Sequence, residues 1–103
     1  MSNFWKPEYY TLNGYDSTAY IKSLNFRIEF KKSGYYRESM DHGTMTMITE
    51  GTWKFIEKKE SIQINTVYND SLSYQILRLK EDELWLKRNI GMFEFIYHFV
   101  PGE

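Results

Sequence analysis

The chain has 103 residues, the size of one domain, and its 42% apolar and 26% charged residues are ordinary globular usage. Its 13 basic and 14 acidic residues leave a net charge of -1, with six of each sign before Gly51 and seven basic against eight acidic from there on. That balance argues against a basic nucleic-acid arm or an acidic tail, and the absence of cysteine removes disulfides, thiol nucleophiles and thiolate metal sites.

Aromatic residues make up 18% of the chain (nine Tyr, seven Phe, three Trp), and Ala19 is the single alanine. Aromatics suit a pleated, half-buried surface, and good helix formers never run together, so the composition favours strands over a helix bundle. The start, Met1-Ser2-Asn3-Phe4-Trp5-Lys6-Pro7, shows neither the basic n-region nor the apolar h-region of a signal peptide. No stretch approaches the roughly 18–20 apolar residues of a membrane helix, so no membrane span is expected. The compartment is left unassigned. A secreted or lipid-anchored protein follows only if a signal precedes Met1-Ser2.

Short alternating runs between turn signals fill the chain, the pattern of an antiparallel sandwich or barrel. Trp5 to Leu12 reads as a first strand, with Pro7 marking an edge or bulge. Asn13-Gly14 is a turn dipeptide in which both residues tolerate positive φ. Residues 16–22 carry the one helical turn, with Asp16 as its cap. Phe26, Ile28 and Phe30 alternate with Arg27, Glu29 and Lys31, apolar in and polar out. Lys32-Ser33-Gly34 turns the chain into Tyr35 to Met40, and Asp41-His42-Gly43 turns it into Thr44 to Thr49.

Gly51 to Ile56 then places Trp53 and Phe55 on one face, before the charged tip Glu57-Lys58-Lys59-Glu60 and the strand Ser61 to Asn65. Tyr68-Asn69-Asp70-Ser71 leads into Leu72 to Leu79, where the parity of Leu77 and Leu79 against Tyr74 and Ile76 implies a bulge or a two-sided strand. Lys80-Glu81-Asp82-Glu83 is another charged turn, Leu84 and Leu86 flank Trp85, and Asn89-Ile90-Gly91 breaks the chain. Phe93, Phe95, Tyr97 and Phe99 close it, alternating with Glu94, Ile96 and His98. The expected fold is an all-β, antiparallel up-and-down barrel of eight to nine strands, one domain over residues 1–103. About eight strands is the number that closes around a filled core or one small ligand.

The order Gly51-Thr52-Trp53-Lys54-Phe55, charged turn, Ser61-Ile62-Gln63-Ile64, Tyr74-Gln75-Ile76-Leu77-Arg78-Leu79, Glu83-Leu84-Trp85-Leu86 and a closing Phe/Tyr strand resembles small bacterial lipocalin-like domains, barrels of the calycin type. Trp5, Asn13-Gly14 and Phe30 followed by Gly34 fall where that family has a first-strand Trp, an Asn-Gly turn and a hairpin glycine. The resemblance spans most of residues 3–100. It implies a non-enzymatic barrel holding a small apolar or amphipathic molecule inside or at its mouth.

Tyr36, Met45, Met47, Trp53, Phe55, Tyr74, Phe95 and Tyr97 are the candidate ligand-binding residues, aromatics and adaptable methionines on inward parity. The opposing expectation is that these bulky groups fill the barrel solid, leaving a structural or protein-interaction domain that meets a partner or a second copy through the outer aromatics Tyr9, Trp85 and Ile96.

Chemistry-bearing clusters are sparse. His42 beside Asp41 and an outward His98 fall short of the three protein ligands of a catalytic zinc site. Glu57/Glu60 and Glu81-Asp82-Glu83 lie in solvated tips, where nothing shifts a carboxyl into catalytic range. No Ser-His-Asp set or phosphate loop is present. Aromatics interleaved with Arg at Phe26–Phe30 and Tyr35-Tyr36-Arg37 invite a single-strand nucleic-acid reading, but the charges are mixed and the strands outnumber the five of an OB barrel. No enzyme, cofactor, metal or nucleic acid is expected.

Overall fold

The computed structural model describes residues 4–68 and 70–102; Met1-Ser2 and Asn69 of the expected turn lie outside them. Nine strands and one helix follow in order: β1 Phe4–Leu12, β2 Tyr15–Asp16, α1 Thr18–Ser23, β3 Arg27–Phe30, β4 Tyr35–His42, β5 Met45–Ile56, β6 Ser61–Thr66, β7 Ser71–Lys80, β8 Glu83–Ile90 and β9 Phe93–Pro101. All pairings are antiparallel, and β1 bonds to both β3 and β9, so eight strands close into a barrel with β2 as a short extra strand on β1. Closure satisfies the edges that such apolar strands otherwise expose.

Local chemistry accounts for most of the links. Asn13 and Gly14 both adopt positive φ, 52° and 83°, the turn that matches strand twist. The Asn13 side chain then accepts from the Glu94 N–H at 2.8 Å, tying this turn to β9. The expected bulges appear as register shifts between Pro7 and Tyr9 in β1 and between Ile76 and Arg78 in β7.

Three expectations are corrected. Thr44–Thr49 and Gly51–Ile56 are one strand, β5, because the chain passes straight through Gly51. A Cβ at Gly51 would run into the carbonyl of Asn65 on β6, so only glycine lets the two strands pair there. Asp16 ends β2 and Ser17 is the N-cap, although the Asp16 carboxylate still accepts from the Thr18 N–H at 3.0 Å. Glu29 faces outward but is covered, flanked in register by Phe4 and Arg37.

A six-residue helix has no stability of its own in water, and tertiary bonds hold α1. Ser17 N–H donates to the Tyr10 carbonyl at 2.9 Å and Tyr10 N–H to Thr18 Oγ1 at 3.0 Å. At the other end Asp41 N–H donates to the Leu24 carbonyl at 2.7 Å. With Ile21 buried in the core, α1 lies beside the Tyr10 half of β1, beyond Phe4 and Trp5, the two residues over which β1 pairs with β3. One end of the barrel therefore carries α1 and the turns after β4, β6 and β8, and the other carries the turns after β3, β5 and β7.

The core sits toward the second end. Trp5, Ile28, Phe30, Ile62, Ile64, Leu84, Leu86 and Phe99 are all at most 1% exposed, each large side chain contributing about 1.5–3 kcal/mol by leaving water. Among the described residues the Trp5 Nε1 has no hydrogen-bond partner although it is buried, so this indole stabilises by apolar mass, which offsets the unmade bond.

Candidate functional site

Strand alternation sends every second side chain into the lumen. Along β4 the inward residues are Tyr36, Glu38 and Met40; along β8 they are Leu84, Leu86 and Arg88; along β9 they are Phe99, Tyr97 and Phe95. Following these series from the packed end toward the α1 end gives a layered interior. A solid apolar floor is followed by the tyrosines Tyr10, Tyr36, Tyr74 and Tyr97, then by the half-buried Glu38 and Arg88. Beyond them the rim carries exposed Met45, Met47, Val67, Tyr68, Ile90, Met92 and Phe93.

The tyrosine layer is tightly interlocked. Tyr10 and Tyr97 rings lie 4.9 Å apart, Tyr74 meets Tyr97 edge to face at 6.0 Å, and Tyr97 stacks on Phe99 at 5.3 Å. Burial pushes the hydroxyls of Tyr36 and Tyr97 far above the ordinary range. It also pushes Tyr74 up to about 12, with the nearby Glu38 charge adding to the rise and Arg88 opposing it. These hydroxyls stay protonated, as donors inside the barrel.

Glu38 and Arg88 sit on β4 and β8, four strands apart in either direction around the barrel and so on opposite walls. Glu38 accepts from the Tyr36 hydroxyl at 2.7 Å, and the Arg88 guanidinium lies 5.9 Å from the centre of the Tyr74 ring. Among the described residues neither charge makes an ion pair. Half-buried charges without an ion-pair partner are costly, and their presence sets this level of the lumen apart from the apolar floor.

The eight residues expected to bind ligand all lie on inward parity but do not form one site. Tyr36 and Tyr74 are buried in the tyrosine layer, Tyr97 and Phe95 are half-buried on β9, and Met45 and Met47 are exposed on the rim. Trp53 and Phe55 stand apart at the opposite end, with Phe30, because β5 continues past the end of its pairing with β4 at Thr52. The sequence reading passed over Glu38, Arg88 and Tyr10. Their signal was available: a charged residue on the same parity as Tyr36 and Met40, and another on that of Leu84 and Leu86.

On the outer face Trp85 stacks on His98, ring centres 4.0 Å apart and nearly parallel, with Ile96 two residues from His98 along β9 on the same side of the sheet. The Arg78 guanidinium lies over the same indole at 5.1 Å and pairs with Glu83 at 3.0 Å, while Tyr9 tilts against His98 at 5.1 Å. Burial under these groups lowers the His98 pKa. His42 ends β4, exposed.

Among the described residues no three His, Cys, Asp or Glu side chains gather to hold a metal ion, and no helix is long and apolar enough to cross a membrane. Compared with known proteins, the chain matches no family model, no curated protein and no solved structure.

Proposed function

We propose that this chain is a lipocalin-like, non-enzymatic barrel that takes an amphipathic small molecule head-first through the α1 end. The observation that carries the reading is the placement of Glu38 and Arg88, unpaired by one another on opposite walls, below an apolar rim and above a layer of protonated tyrosine hydroxyls. A ligand with a polar head meets donors and acceptors at that level, and its tail replaces water against Met40, Met47, Leu72 and Phe95. Methionine suits such a wall because its side chain adapts to irregular shapes. The lipocalin-like assignment rests on the resemblance of the strand progression and on the closed eight-stranded antiparallel barrel.

The test is calorimetric titration with two twelve-carbon amphiphiles, dodecanoate and dodecyl maltoside below its micelle concentration, followed by the Arg88→Gln variant. Binding of dodecanoate that weakens about tenfold or more in R88Q supports the reading, since a charge-assisted contact is removed. A folded protein that binds neither amphiphile sinks it.

A further inference from the structure

We propose that the packed end of the barrel carries a second, separate site, for a small flat aromatic acid. Its place is a cleft of about 350 Å³ lined by Phe30, Lys32, Trp53 and Phe55, a volume at the lower end of the roughly 300–1,000 Å³ of small-molecule pockets. The cleft exists because β4 and β5 stop pairing at Tyr35 and Thr52, after which β6 is the one strand that pairs with Trp53 to Ile56 of β5.

The aromatic walls are rigid and unspent. Trp53 is fixed by its Nε1 donating to the Lys31 carbonyl at 2.7 Å and by its backbone N–H donating to the Gly34 carbonyl at 2.9 Å. Its polar valences are used, so what it offers a ligand is ring surface. Phe30 meets Trp53 at 5.3 Å and 70°, and Trp53 meets Phe55 at 5.1 Å and 82°. These rings line the cleft, and a planar ligand gains by packing against their surfaces.

The charged side chain that lines the cleft is a lysine, Lys32, and a second lysine stands at its Phe55 wall, Lys59, whose ammonium lies 6.0 Å from the centre of that ring. The carboxylates of the same turn, Glu57 and Glu60, line a different hollow with Ser61, Gln75 and Ile76. Lys31, the neighbouring cation, is engaged with Glu29 at 3.8 Å. The turn that aims Lys59 has an unusual backbone, with Glu57, Lys58 and Lys59 all at positive φ of 53°, 57° and 70°. Two ammonium groups beside low-dielectric aromatic walls favour an anion whose body is flat and apolar, a carboxylate or sulfonate on fused rings.

The experiment titrates naphthoate, and in parallel naphthylmethanol with the same rings and no charge, into nitrogen-labelled protein. The Trp53 indole N–H signal reports the cleft, and the Phe95 and Tyr97 backbone signals report the lumen. The proposal expects saturable naphthoate shifts at Trp53, with naphthylmethanol about tenfold weaker. In the doubly charge-reversed variant K32E/K59E, whose spectrum also checks the fold, naphthoate should weaken at least about tenfold while naphthylmethanol is unchanged. Naphthoate shifts confined to the lumen, no shift at Trp53, or equal naphthoate affinity in K32E/K59E would each overturn it. None of these outcomes bears on the amphiphile titration, so the two sites stand or fall separately.

Discussion

The two ends of the barrel are closed by the same device, short turns between antiparallel strands, yet they are chemical opposites. At the packed end the tips read Lys31-Lys32-Ser33-Gly34, Glu57-Lys58-Lys59-Glu60 and Lys80-Glu81-Asp82-Glu83, and the lumen beneath them is filled by Trp5, Phe30, Ile62, Leu84 and Phe99. At the α1 end the tips carry Met45, Val67, Tyr68 and Met92, the last 94% exposed, and the lumen beneath holds the half-buried Glu38 and Arg88. One end has its apolar groups inside and its charges in water, the arrangement that burial of apolar surface favours. The other has the order reversed, charges within and apolar groups at the lip. Such an inversion costs stability, and it is the ground on which binding is proposed at this end.

The sharpest way to test the contrast is to truncate at each end. Trp5→Ala should lower stability by about 3–5 kcal/mol, the range for deleting a large core side chain. Met92→Ala at the lip should stay within about 0.5 kcal/mol, the usual range for surface changes. Urea unfolding of both variants measures the difference, and comparable losses would mean that the lip is packed too.

Next in size is the tyrosine layer between the ends. Folding raises the pKa of Tyr36, Tyr74 and Tyr97, so above about 10, the ordinary tyrosine value, the unfolded chain loses these protons before the folded one does. The folded state then holds more protons, and stability falls as pH rises. Alkaline titration followed by phenolate absorbance should show exposed tyrosines ionising first, with the buried ones appearing together with loss of the near-ultraviolet circular dichroism.

A smaller effect separates the ends through their backbones. Lys58 sits at φ 57° between two other left-handed residues, and relief of a side chain in that conformation is worth roughly 1 kcal/mol. Lys58→Gly should therefore raise the urea midpoint, whereas Gly43→Ala at the opposite end, where Gly43 has φ 64°, should lower it by a similar amount.

The smallest expected change lies on the outer wall. Burial lowers the folded pKa of His98 below its ordinary value of about 6.5. As pH falls through that value the unfolded state takes up a proton that the folded state resists, so this contribution is full above it and lost below. His98→Gln should flatten the fall in stability across that window, read from thermal midpoints at a series of pH values.

Much of the fold was legible because the signals were local. Alternation at Phe26–Phe30 and Phe93–Phe99, the Asn13-Gly14 turn and the parity switch at Leu77 each follow from residues within one strand or turn. The site was less legible. Inward parity marks Tyr36, Tyr74, Phe95 and Tyr97, but Glu38 and Arg88 on the same faces break the apolar pattern that identifies a lumen. Trp53 and Phe55 share their parity too, and nothing in the strand pattern says that β4 ends before it reaches them.

The sequence by itself determined an antiparallel meander, the turns that connect it and the face each side chain takes, because these depend on φ preferences and a period of two. Only the tertiary structure decided that β1 bonds to β3 and β9 to close the barrel, that Glu38 and Arg88 face one another across the lumen, and that Trp53 and Phe55 wall a cleft at the far end. Those outcomes depend on strand order and register between residues distant in the chain, which local periodicity does not encode.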